Sequence, residues 1–137
     1  MTAVSGLPTR PLYDSTDSLL RFAMRADATL TGLCGLAVAF VADPLSSLTG
    51  LTSGQEYAMG AFFVLCGLAV FSLAAAPNLR RVGFGIVAAN IVLTLAAIVA
   101  AEAVTMTATG VAATLASGVY TAAFAGLQYL GVRRLAT

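Results

Sequence analysis

Few side chains in this chain can do chemistry, and their types already restrict it. Asp27, Asn90 and Gln128 are polar groups set in otherwise apolar surroundings, and Cys34 and Cys66 each lie alone in an apolar run. There is no His and no Trp. Without His, a His-ligated haem, a His-based zinc site and a His general base are all excluded. Two isolated cysteines with no CxxC do not form a disulfide framework. The chain has no GxGxxG, Walker loop, HExxH or GxSxG. We therefore expect no metal site, no cofactor and no enzymatic activity, with Cys34 and Cys66 as small buried fillers at similar depth.

Asp27 is the most informative of these residues. At 100° per residue it shares a helix face with Thr31 and Cys34, while Arg25 lies about 160° and Arg21 about 120° away. Asp27 then points inward while Arg21 and Arg25 extend to anionic headgroups. Asp17 is the partner expected for Arg21, at i,i+4. Gln128 lies at a similar depth, just before Arg133, and Asn90 lies one or two turns deeper. Asp27, Asn90 and Gln128 can thus meet as one intramembrane polar cluster. Two readings of it stand side by side. One is a structural clamp, in which Asp27 accepts hydrogen bonds from the two amides and a Tyr. The other is a site for a proton, cation or small solute, as inward-facing intramembrane acids often are.

These residues belong to elements that water does not suit. Of 137 residues, 59% are apolar and 9% charged, against about 25% charged in a soluble domain. Lys is absent, and seven Arg face six Asp and Glu. That excludes a soluble globule, a disordered chain and a nucleic-acid partner, which needs a basic face. Uncharged stretches run over 28–42, 57–79, 82–101 and 103–132, and a bilayer core needs about 20 apolar residues per helix. The expected fold is all-α: an antiparallel bundle of four transmembrane helices near 19–42, 57–77, 82–102 and 108–131. An irregular arm, 1–18, precedes the membrane domain, 19–137. The 43–56 connection, with Pro44, Gly50 and Gly54, reads as a loop whose Leu45, Leu48 and Leu51 lie flat at the interface. Short connections make the second, third and fourth spans neighbours.

Small and polar residues mark the faces where spans meet. Gly83, Asn90, Thr94, Ala97 and Ala101 share one side of the third span. Gly110, Thr114, Ser117, Thr121 and Gln128 share one side of the fourth, flanked by Gly118 and Ala122. Gly60, Gly67 and Ala74, seven apart, form a seam on the second. Tyr57, Tyr120 and Tyr129 read as interface or packing residues.

The arginines set the orientation. Arg10, Arg21 and Arg25 precede or open the first span, Arg80 and Arg81 lie between the second and third, and Arg133 and Arg134 follow the fourth; the other two connections hold Asp43, Glu56 and Glu102. Cytoplasmic loops concentrate Lys and Arg, so both termini are expected in the cytoplasm. Arg21, Arg25, Arg80, Arg81, Arg133 and Arg134 are expected to contact lipid headgroups. Ala37-Val38-Ala39 imitates a signal-peptide cleavage site, but the charged and polar segment before that run is too long for an ordinary n-region; retention is expected.

The segments Leu19–Ala28, Ala88–Val92 and Gly126–Arg134 resemble stretches of small four-helix bacterial integral membrane proteins that have no assigned activity. The resemblance implies a four-helix fold in a bacterial inner membrane and adds interest to Asp27, Asn90 and Gln128. Three functions follow as expectations. The first is an accessory or structural subunit of a membrane assembly, partnered by lipid and by other subunits or itself. The second is a small transporter or channel centred on Asp27. The third is a lipid- or quinone-binding subunit of an enzyme.

Overall fold

A computed structural model of the chain describes residues 16–135. Most of the arm at 1–18, with Arg10, lies outside the described residues. The described chain is all-helical, with five helices: α1 (Ser18–Phe40), α2 (Ala42–Thr49), α3 (Ser53–Leu73), α4 (Leu79–Ala103) and α5 (Ala108–Arg133). All but α2 are long and apolar enough to cross a membrane.

The connection between the first two spans departs from expectation. It is not a loop: it carries α2, which follows α1 after the single joint residue Val41 (φ −114°, ψ 26°). Pro44 falls in the first turn of α2, where a missing N–H costs nothing. Gly50 ends it in the left-handed conformation (φ 82°), donating its N–H to the Ser46 carbonyl at 3.0 Å. Leu45 and Leu51 are half-buried and only Leu48 is exposed.

The second span begins at Ser53, not 57, and ends at Leu73, not 77. Thr52 and Gln55 form a capping box: the Gln55 N–H donates to Thr52 Oγ1 at 3.0 Å and the Thr52 N–H donates to Gln55 Oε1 at 2.9 Å. Two orphan donors of the first turn are thereby satisfied, and the helix starts before the charge of Glu56. Thr107 caps α5 in a similar way, accepting from the Gly110 N–H. It also fastens the α4–α5 connection to α2, donating its N–H to the Thr49 carbonyl and its hydroxyl to the Leu48 carbonyl.

Close pairs are α1 with α3, α4 with α5, and α1 with α5. The short 74–78 connection does not make α3 and α4 closely packed neighbours. The glycine seam explains the difference, because it takes α3 onto α1. A Cβ at Gly60 would lie 2.7 Å from the Gly35 carbonyl oxygen, and one at Gly67 would lie 2.7 Å from that of Ala28. Such backbone approach is what small residues permit between helices in lipid. At the arginine-bearing end, Leu20, Met24, Ala74, Leu79, Ile86 and Val132 form a buried apolar cluster, where α3 and α4 do share packing. Elsewhere large apolar side chains face outward, Phe40, Leu65 and Val119 among them.

Candidate functional site

Asp27 sits on the inner face of α1, buried with Ala23, Met24 and Ala28. Its two carboxylate oxygens are served from different levels. Oδ2 accepts from Asn90 Nδ2 of α4 at 3.0 Å and from Gln128 Nε2 of α5 at 2.9 Å. Oδ1 accepts from the hydroxyls of Thr31, one turn on, and of Tyr120 on α5, each at 3.0 Å. Gln128 and Tyr120 are about 12 Å apart along their helix, and Asp27 lies between their side chains.

The donors are coupled to one another. Asn90 Nδ2 also donates to Gln128 Oε1 at 2.8 Å. Tyr120 OH lies 3.0 Å from Thr31 Oγ1 and from the Asp27 carbonyl oxygen. One turn along α4, Thr94 Oγ1 is 2.7 Å from Thr121 Oγ1 and donates to the Asn90 carbonyl. A carboxylate has about four lone-pair positions, and here four side chains of the chain itself occupy them. No cation touches Asp27: Arg21–Asp17, at 3.0 Å, is the one ion pair between described residues.

The structure thus brings Asp27, Asn90 and Gln128 together. Of the α5 stripe, Gly110 and Gly118 are buried with Gln128, while Ser117 and Ala122 are exposed. Tyr120, read from sequence as packing, is a hydrogen-bond donor to the acid. Cys34 is exposed and Cys66 half-buried, which corrects the expectation of two buried thiols. Cys34, seven residues beyond Asp27, keeps within about 20° of its direction, while the α1–α3 contact runs through Gly32 and Gly35 and leaves Cys34 outside it.

The arginines divide into two kinds. Arg25, Arg81, Arg133 and Arg134 are exposed and make no side-chain hydrogen bond among the described residues, and Arg80 is exposed with one, to the Leu135 carbonyl at 3.3 Å. Arg21 is half-buried: besides Asp17 it donates to the Ala74 carbonyl, tying the end of α3 to α1.

A second buried acid was missed. Glu56, in the first turns of α3, is 1% exposed. Its Oε1 accepts from Thr49 Oγ1 at 2.5 Å, and its Oε2 has no hydrogen-bond partner among the described residues. The sequence signal was the Thr52–Gln55 capping box, which draws the next residue into the helix instead of leaving it in a loop.

Compared with known proteins, the chain matches no family model, no curated protein and no solved structure.

Proposed function

We propose that this chain is a non-catalytic structural or accessory subunit of a membrane assembly, or a homo-oligomer, spanning a bacterial inner membrane as an antiparallel four-helix bundle with both termini cytoplasmic. One observation carries the reading: every acceptor position of the Asp27 carboxylate is filled by Thr31, Tyr120, Asn90 and Gln128. A group that takes up a solute must present an unfilled position to it, whereas a clamp fills them all. The clamp also links α1 to α4, which are not otherwise a closely packed pair. With the Asp27 cluster satisfied internally, the chain offers its neighbours broad apolar sides and a rim of arginines. Those surfaces suit lipid, other membrane subunits or a second copy. The exposed arginines meet the headgroup layer, where the distribution of charge in the sequence puts them.

The test is a pair of substitutions read on assembly and on transport. Asp27→Asn is nearly isosteric, and the facing amides can turn to offer a carbonyl, so complexes copurified from the native membrane should be unchanged by mass spectrometry. Asp27→Leu strands two amides and two hydroxyls. With each interhelical bond worth about 0.6 kcal/mol in lipid, it should lower thermal stability by about 2 kcal/mol and reduce assembly without abolishing it. A pure chain whose proton or cation flux in proteoliposomes is abolished by Asp27→Asn, its stability intact, would overturn the structural reading in favour of a small transporter.

A further inference from the structure

At the arginine-bearing end lies a basin of about 670 Å³, open on one side and formed by the start of α1, the 74–78 connection, the first turns of α4 and Leu135. Among the described residues its rim carries Arg21, Arg80 and Arg81 beside Asp17. The placement of Arg80 and Arg81 is unusual. They occupy the first turn of α4, where unpaired N–H groups and the helix dipole already concentrate positive charge and where acids are the stabilising choice. That turn contains no acid, and Asn78 gives it no side-chain cap. Arg21 is fixed by Asp17 and the Ala74 carbonyl, and Arg80 reaches the Leu135 carbonyl through Nη2. Among the described residues Arg81 makes no side-chain hydrogen bond and no ion pair. Behind this cationic rim the wall turns apolar, with Pro77, Leu135 and Phe84, the last 47% exposed one turn into α4.

We propose that this basin binds the phosphodiester headgroup of an anionic glycerophospholipid, the phosphate held by Arg80, Arg81 and the first turn of α4 and the glycerol and upper acyl chain lying on Phe84. A free phosphate would satisfy the rim but leave the apolar wall unused, which is why the lipid is the better fit. The inference rests on the membrane-spanning reading above, with the arginine-bearing helix ends at a headgroup layer.

The chain has no Trp, so Phe84→Trp is a single reporter at the basin. Phe71→Trp, on an exposed position of α3 near the same end, reports the surrounding lipid. Both are reconstituted in bilayers that mix phosphatidylglycerol and phosphatidylcholine, with bromine on the acyl chains of one or the other. Phe84→Trp should be quenched by the anionic lipid with about tenfold preference over the zwitterionic one, and Phe71→Trp by both alike. Arg81→Gln removes no hydrogen bond or ion pair among the described residues and should cut the preference about fivefold, the effect of one cation near an anionic surface. Equal quenching of Phe84→Trp by the two lipids would overturn the proposal, as would an equal anionic preference at Phe71→Trp. A preference erased by millimolar phosphate but not by chloride of matched ionic strength would assign the basin to the free ion instead. If neither reporter is quenched by any brominated lipid, the membrane-spanning reading itself fails.

Discussion

Asp27 and Glu56 are both buried acids, and their partners set them apart. Asp27 has four side-chain donors, whereas Glu56 has one, the Thr49 hydroxyl, which also accepts from the Leu51 N–H at 3.2 Å. Thr49→Val would leave both Glu56 oxygens and the Leu51 N–H unpaired inside the fold. An unsatisfied buried polar group costs about 1–3 kcal/mol, so Thr49→Val should destabilise the purified chain by about 2–3 kcal/mol in denaturant titration. Glu56→Gln keeps an acceptor for Thr49 and removes a carboxylate oxygen that has no donor, so its effect should stay within about 1 kcal/mol. A Glu56→Gln loss larger than that of Thr49→Val would mean that Oε2 has a partner in the membrane. The contrast also explains what could be read in advance. Asp27, Asn90 and Gln128 lie deep in uninterrupted spans, where helical rotation and distance from the nearest arginine fix both face and depth. Tyr120 escaped that reckoning because a phenol reaches across two turns. Glu56 escaped because a charge near a span end looks like a boundary until the capping box before it is given weight.

The helices pair through glycines, and the consequence is testable element by element. A methyl at Gly35 would meet the Gly60 carbonyl oxygen at 2.5 Å and the Val64 nitrogen at 2.8 Å, so α1 and α3 would have to separate. Gly85 and Gly126 have nothing within 4 Å of the same added carbon. Gly35→Ala and Gly60→Ala should each cost about 1–3 kcal/mol, as overpacking does. Gly85→Ala and Gly126→Ala should be neutral or stabilise by up to about 1 kcal/mol, the helix-propensity gain of Ala over Gly. Thermal melts of the four variants in one detergent give the ranking; equal losses across all four would show that the seam is not a contact. The seven-residue spacing of Gly60, Gly67 and Ala74 made this seam legible on α3. Its partner was not, because spacing on one helix does not say which neighbour receives it. Connection length suggested α4, and the matching glycines on α1, Gly32 and Gly35, decided otherwise.

At the scale of the whole molecule, the described arginines gather at one end, with Asp17 among them. Arg21 and Arg25 lie in the first half of α1, Arg80 and Arg81 open α4, and Arg133 and Arg134 follow the bulk of α5, whereas Asp43, Glu56 and Glu102 lie at the other helix ends. Interhelical packing has no preference for either side of a bilayer, so the proposed orientation rests on the arginines, which cytoplasmic loops concentrate. Cys34→Ala and Cys66→Ala provide a thiol-free background, and neither side chain makes a hydrogen bond whose loss would confuse the result. In that background a cysteine at Thr105, exposed in the α4–α5 connection, should react with an impermeant maleimide added to intact cells. A cysteine at Thr137 should react only after the cells are opened. The reverse pattern would put the arginines outside and overturn the proposed orientation. Labelling of both sites in intact cells would put them on one side of the membrane, so that α5, the long helix between them, does not cross. The mean hydropathy of α5 is 1.4 against 2.4 for α4. The Asp27 clamp resists the removal of α5, because without Tyr120 and Gln128 the carboxylate would keep only Asn90 and Thr31 as donors.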